Sequence, residues 1–196
     1  MKRFSDVVLA LSLCIAFLPV IAVTAILVFA SLGSPIIFVQ KRAGRGGRIF
    51  ALLKWRSMTN ATDKDGELLP DDERVTPVGL LSRRLRIDEL PSVLNILRGD
   101  LSFVGPRPLP AIAPINQAFG GARLTVHPGL TGLAQVSGNT LLSNEEKLAI
   151  DLHYIGKRSF LGDLVIIWRT VVTVVRGERR DELLIQRALT EMEKRN

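Results

Sequence analysis

Asp88 and Glu89 stand side by side in a stretch that also carries Arg83, Arg84 and Arg86, followed by a Pro106-Arg107-Pro108 loop. A carboxylate can attack a phosphorus centre to give an acyl-phosphate. The planar fork of arginine matches a diphosphate. Mg²⁺ is commonly held by one or two carboxylates plus substrate phosphates, so a divalent cation belongs with this set. Proline on each side of Arg107 restricts the backbone and helps to hold one guanidinium in place. Adjacent Asp and Glu are most often surface charge. Here their surroundings argue for phosphoryl chemistry, with Asp as the attacking group.

The elements that must position these groups can be read from spacing. Leu90, Val93, Leu94 and Leu97 follow the i, i+3, i+4, i+7 pattern of one buried helix face. Pro91 fits a first turn and Gly99 suits the stop. Asp88 is thereby expected at or just before a helix N-terminus, where free N–H groups favour anions. Thr76-Pro77 is a helix start, with Leu80, Leu81 and Leu85 on one face and the arginines around it. That helix can lie on a membrane surface, bind a diphosphate, or do both. Residues 101–108 read as a short strand and a rigid loop, and 109–120 as a short helix. The turn-rich stretch 127–139 is expected to line a pocket, with Thr131 and Gln135 in it.

Residues 36–40 and 48–53 read as two strands joined by KRAGRGG, either a phosphate-facing basic loop or a solvated turn. Trp55 suits an interfacial anchor. Residues 59–75 read as an exposed polar loop. The consecutive Asp71, Asp72 and Glu73 lack metal-ligand spacing. Residues 144–156 look helical. Residues 163–176 form an apolar helix that Asp163 could cap, too short to cross a bilayer. The tail beyond Arg176 reads as a charged, solvated helix.

Composition narrows the class. The 196 residues are 47% hydrophobic, with a formal net charge of +7. Mean hydropathy is +0.25 and the pI is near 10.2. Such a balance suits anionic lipid, nucleic acid or phosphorylated substrates. The lone Cys14 excludes an intrachain disulfide framework, and the two histidines leave little for a histidine relay.

Residues 7–32 contain no charge. A straight helix of that length would reach roughly 39 Å, against a hydrocarbon core of about 30 Å. Pro19 near its middle would bend the axis. Basic residues flank both ends, with Lys2 and Arg3 before and Lys41, Arg42, Arg45 and Arg48 after. A kinked span and a re-entrant helix that returns to the same leaflet are both consistent with these residues.

The chain resembles the bacterial sugar transferases, the small monotopic phosphoglycosyl transferases that act on polyprenol phosphate. The likeness runs from Lys2 to about Val175. It rests on KRFSD at 2–6, FVQKRAG with a later GRIF, KWRSM at 54–58, RIDELP at 86–91, LRGDLSFVGPRP at 97–108, PGLTGLAQVSG at 128–138 and SFLGDLVII at 159–167. The resemblance implies a re-entrant membrane helix broken at Pro19. Where the family usually has Ser-Pro, this chain has Leu18-Pro19. Where the family usually has Gly-Trp-Ala-Gln-Val, it has Leu133.

The resemblance also implies a reaction. A sugar-1-phosphate passes from a UDP-sugar to undecaprenyl phosphate in two steps, and UMP is released. Asp88 matches the nucleophile and the Mg²⁺ contact, and Glu89 its dyad partner. Arg83 and Arg107, with Lys54 and Arg56 of the KWRSM motif, match positions expected at the substrate phosphates. Pro106, Pro108, Thr131 and Gln135 match the loops around them. The expected architecture is α+β and mainly helical. Residues 1–35 are a re-entrant anchor, and 36–196 a membrane-associated catalytic domain with a small β-hairpin and a charged C-terminal helix. The implied location is the bacterial inner membrane, monotopic, with catalysis on the cytoplasmic face. A homodimer is among the arrangements the sequence admits.

The competing class is a non-catalytic basic adaptor that binds anionic lipid or nucleic acid. Aromatic residues make up only 6% of the chain, with a single Tyr. That is thin provision for base stacking, so no nucleic-acid partner is expected.

Overall fold

A computed structural model describes residues 2–110, 112–116 and 118–194. Helices α1 (Lys2–Ala16) and α2 (Leu18–Leu32) meet at a 65° bend. Pro19 occupies the first turn of α2, where its missing N–H and its ring are tolerated, so the helix breaks two residues earlier, at Phe17. Neither helix alone is long and apolar enough to cross a membrane. Together the bent pair meets that length and composition.

The polar end of α1 is tied into the body of the protein. Arg3 donates to the carbonyls of Ile96 and Leu97. Buried Asp6 accepts from the Phe103 N–H. Lys2 pairs with Asp163 and donates to the Val104 carbonyl and the Tyr154 hydroxyl. The KRFSD motif is thus a fastening between the apolar helices and the frame that carries the carboxylates.

Strands β1 (Ile37–Ala43) and β2 (Ile49–Trp55) form an antiparallel hairpin, with Ile37 opposite Trp55 and Ala43 opposite Ile49. The ladder is longer than the apolar residues alone suggest, because Lys41 and Arg42 keep pairing through the backbone. The turn runs through positive φ at Gly46 and Gly47. Trp55 is buried rather than interfacial. The free edge of β2 is closed by side chains: Asn95 accepts from Leu53 N–H and donates to the Ala51 carbonyl, and Ser92 donates to the Leu53 carbonyl.

The polar loop that follows contains one helical turn, α3 (Asp71–Arg74). Helix α4 (Pro77–Arg84) starts as expected, with the Thr76 hydroxyl accepting from Gly79 N–H. A 3₁₀ turn, Ile87–Ser92, then carries the carboxylates and leads into α5 (Val93–Arg98). The expected single helix is therefore split. Val93 and Ile96 are buried, but Leu94 is 46% exposed, because the tighter 3₁₀ winding rotates the apolar face.

Strand β3 (Ser102–Val104) pairs in parallel with β4 (Gly129–Thr131). The glycines there permit backbone contact. A Cβ on Gly129 would sit 2.1 Å from Gly105 N, and one on Gly132 would sit 2.2 Å from Gly105 O. The helix expected over 109–120 includes residues 111 and 117, which lie outside the described residues; the described residues of this stretch hold a 3₁₀ turn, Pro114–Asn116, and the start of the short α6 (Ala118–Gly121).

Four helices complete the chain: α7 (Leu133–Val136), α8 (Asn144–Lys157), α9 (Phe160–Arg176) and α10 (Glu182–Glu193). The cap of α9 is Ser159, not Asp163, which is turned to Lys2 and Tyr154 instead. Ile185, Ala188 and Met192 of α10 are buried against Leu148 and Leu152 of α8, so the charged tail helix has a core face. Leu133 packs against both core clusters and joins them. On α9, Ile166 points inward, while Phe160, Leu161, Val165 and Trp168 face out. Leu80, Leu81 and Leu85 are likewise exposed.

The architecture is α+β and mainly helical, with a small hairpin beside the carboxylates and a bent apolar helix pair at the N-terminus.

Candidate active site

Arg86 adopts a left-handed conformation, φ 58°, directly before the 3₁₀ turn. It ends α4 sharply and points the Asp88–Glu89 pair toward β2 and the Pro-Arg-Pro loop. The result is a cleft of about 1180 Å³ whose lining includes Lys54, Arg83, Asp88, Glu89 and Arg107.

The two carboxylates differ in their contacts. Glu89 Oε1 accepts from Lys54 Nζ at 2.7 Å and from Arg107 Nη2 at 3.2 Å. Burial alone would raise the Glu89 pKa. Arg107 and Lys54 outweigh it and hold this carboxyl below its ordinary range. Asp88 is 8% exposed, and among the described residues its carboxylate takes no hydrogen bond. Lys54 Nζ stands 3.9 Å away. Burial, then the charge of Glu89, push the Asp88 pKa up, against Lys54, Arg86 and Arg83. The site thus holds one carboxylate clamped by two hydrogen bonds and one that, among the described residues, has only the longer ion pair with Lys54.

The structure gathers most of the expected residues and separates others. Arg83 lines the cleft, with Nε 2.9 Å from Ser57 Oγ. Arg56 also lines it, but its guanidinium donates at 3.2 Å to the carbonyl of Leu32, the last residue of α2. That contact caps the helix. Pro106 is buried and its carbonyl accepts from Gly129 N–H. Pro108 borders a smaller cavity shared with Arg42, Lys54, Glu89 and Arg107. Thr131 and Gln135 are buried and do not line the main cleft. Thr131 bonds to Thr170 at 2.6 Å and Gln135 to the Leu130 carbonyl at 3.2 Å, so they brace the loop from behind. Pro19 stands at the bend of the apolar pair.

Several site supports escaped the sequence reading. Arg123 is buried and donates to Asp151 at 2.8 Å, to Asn116 at 2.9 Å and to the Arg107 carbonyl at 3.1 Å. It fixes the backbone from which Arg107 reaches Glu89. One signal was available: Asp151 interrupts the apolar stripe of its helix, and a buried charge requires a partner. Ser92 and Asn95 tie the carboxylate turn to β2, and their polar side chains gave no comparable sign.

Asp88 could contribute one ligand to a divalent cation, since Glu89 is already engaged by Lys54 and Arg107. No group of three or more Asp, Glu, His or Cys residues suited to a metal occurs among the described residues. A cation here would complete its shell from substrate phosphates and water, which suits Mg²⁺.

Residues 1–177 match the family described as bacterial sugar transferase. The uncharacterised sugar transferase EpsL of Bacillus subtilis is 42% identical over 91% of the chain and 89% of its own length. The exopolysaccharide production protein ExoY of Sinorhizobium fredii is 37% identical, covering 88% and 84%. A UDP-glucose:undecaprenyl-phosphate glucose-1-phosphate transferase of Caulobacter vibrioides is 38% identical, covering 89% and 69%.

Proposed function

The chain belongs to the bacterial sugar transferase family, and we propose that it moves a sugar-1-phosphate from a UDP-sugar to undecaprenyl phosphate at the cytoplasmic face of the inner membrane. The relative from Caulobacter vibrioides bears the name of that activity. The observation that carries the assignment is a carboxylate, Asp88, that takes no hydrogen bond among the described residues, at a cation-lined cleft beside a partner carboxylate that Lys54 and Arg107 already clamp.

Asp88 attacks the phosphorus that bears the sugar. A bond forms from its carboxylate oxygen, the diphosphate bridge breaks, and UMP leaves with the bridging oxygen and its electron pair. An oxygen of the lipid phosphate then attacks the same phosphorus. The aspartyl bond breaks, the carboxylate is regenerated, and the lipid carries the sugar diphosphate. Arg83, Lys54 and Arg107 hold the phosphate oxygens. Glu89 orients Lys54 and Arg107 so that both stay available without closing on Asp88. Arg56 joins the cleft wall to the end of α2. Mg²⁺, when bound at Asp88, would neutralise the diphosphate oxygens.

The apolar surfaces support the location. The bent pair α1–α2 suits a re-entrant insertion, and the exposed faces of α4 and α9 suit the interface of the same leaflet. Lys2 and Arg56 anchor the two ends of the pair to one frame, which supports placing both ends on one side of the membrane.

The test is UMP release from UDP-sugars by purified protein with Mg²⁺ and a short polyprenyl phosphate. Lipid-linked product that disappears with chelator supports the assignment. Silence across UDP-, GDP- and dTDP-sugars, with folded protein in lipid, overturns it.

A further inference from the structure

Glu178 stands just beyond the family match, and its carboxylate is fully used. One oxygen lies 3.4 Å from Arg86 Nη2 and also accepts from the Asn139 side-chain amide. The other accepts from the Thr140 N–H at 3.1 Å and from the Thr140 hydroxyl. Gly177, at φ 84°, ends α9 and turns the chain back to the cleft, which Glu178 lines. The next residues fix that turn from the far side. Arg180 donates to the Leu141 carbonyl at 2.7 Å and to Glu146 at 2.6 Å, and Asp181 N–H donates to the Ser137 carbonyl at 3.1 Å.

We propose that Glu178 is a positioning residue for the Asp88–Glu89 turn, acting through Arg86. The proposal rests on the assignment of Asp88 as the nucleophile. Arg86 carries the left-handed backbone that starts the turn, and its guanidinium lines the cleft. Released, that side chain could pair with Asp88 and occupy the group that must attack. Glu178 draws it to the opposite wall, and Asn139 and Thr140 keep Glu178 there. Burial works against ionisation of Glu178, yet these hydrogen bonds hold its carboxyl below the ordinary range, so the countercharge persists at neutral pH. The C-terminal segment thereby completes a site whose reacting groups lie some ninety residues earlier in the sequence.

The experiment is a double-mutant cycle of Glu178→Gln and Arg86→Met, with donor kinetics and thermal melting measured on all four proteins in lipid. We expect Glu178→Gln to lower kcat about tenfold with donor KM within about twofold, as a misplaced group costs rate more than affinity. In the Arg86→Met background the same change should cost less than about twofold. Equal losses in both backgrounds overturn the proposal, as does full activity of Glu178→Gln. A wild-type protein inert toward every nucleotide sugar overturns the transferase assignment instead. The melting cycle then still decides whether Glu178 and Arg86 are coupled, and additive melting shifts overturn the link.

Discussion

Lys54 and Glu89 meet at 2.7 Å, while the same ammonium stands 3.9 Å from Asp88. This difference separates two adjacent carboxylates into two roles. Lys54 and Arg107 favour the ionised form of Glu89, and Asp88 takes no hydrogen bond among the described residues. Replacing Glu89 with Gln keeps the shape and removes the charge that holds Lys54 and Arg107. We expect turnover to fall about a hundredfold, since both cations lose their orientation. The fold should lose about 2 kcal/mol as two half-buried cations lose their countercharge. Donor kinetics and thermal melting of one preparation check both.

Acid should stop turnover before it unfolds the protein. Asp88 has a pKa raised above 3.8, by burial first and Glu89 second. In the proposed mechanism the ionised form attacks, and that form is lost as pH falls through the raised value. Protonating Asp88 does not cost stability, because folding already disfavours its charge. Glu89 runs the other way. Its depressed pKa contributes stability that is full above the ordinary value of 4.5 and is lost only as pH falls through the lower folded value. The acid limb of kcat/KM should thus lie above the acid unfolding transition seen by circular dichroism. Coincident transitions would contradict this order.

Arg123 and Asp151 are each 3% exposed in their side chains. Arg123→Met leaves Asp151 buried without a partner, and we expect a loss of about 3 kcal/mol. Burial, opposed by Arg123, already raises the Asp151 pKa. With the arginine gone, the stability deficit should shrink as pH is lowered, because Asp151 then folds as the neutral acid. Melting across pH reads this directly. A deficit independent of pH would remove the charge from the explanation.

The anchor can be tested by labelling. With Cys14 changed to Ala, a cysteine at exposed Phe4 should resist an impermeant thiol reagent in intact cells and react after permeabilisation. Labelling of intact cells would mean that the apolar pair crosses the membrane. Replacing Pro19 with Ala should straighten the pair by restoring a helix bond, with loss of activity as Lys2 and Arg3 leave their partners.

Much of the site was legible because its chemistry is local in sequence. Asp88, Glu89 and the arginines lie close together, and Pro19 marks a break that the backbone cannot avoid. The helix start at Thr76 and the hairpin were also readable, since capping and turn residues act over a few positions. The rest depends on distant partners. Strand β4 is three residues long with a glycine at one end, and it exists because Gly105, Gly129 and Gly132 allow two backbones to touch. The buried face after Asp88 was misplaced because a 3₁₀ turn, not an α-helix, begins there. Trp55 looked interfacial by type, and its burial is set by packing that a sequence does not display. Arg123 reaches Asp151 28 positions away, Asn95 reaches Ala51 44 positions away, and Glu178 reaches Arg86 92 positions away.

The central claim is that Asp88 forms a covalent bond to the sugar-bearing phosphate. The most direct measurement omits the lipid acceptor. Protein in lipid with Mg²⁺ receives a UDP-sugar radiolabelled at the phosphate next to the sugar, and UMP and protein-bound label are counted in a single turnover. We predict a burst of about one UMP per protein, an equal amount of label on the protein, and transfer of that label to polyprenyl phosphate when it is added. Asp88→Asn should show neither burst nor label while still folding and partitioning to membrane. UMP that forms only when lipid is present, with no labelled protein, would contradict the covalent step. Labelled protein in Asp88→Asn would place the nucleophile elsewhere.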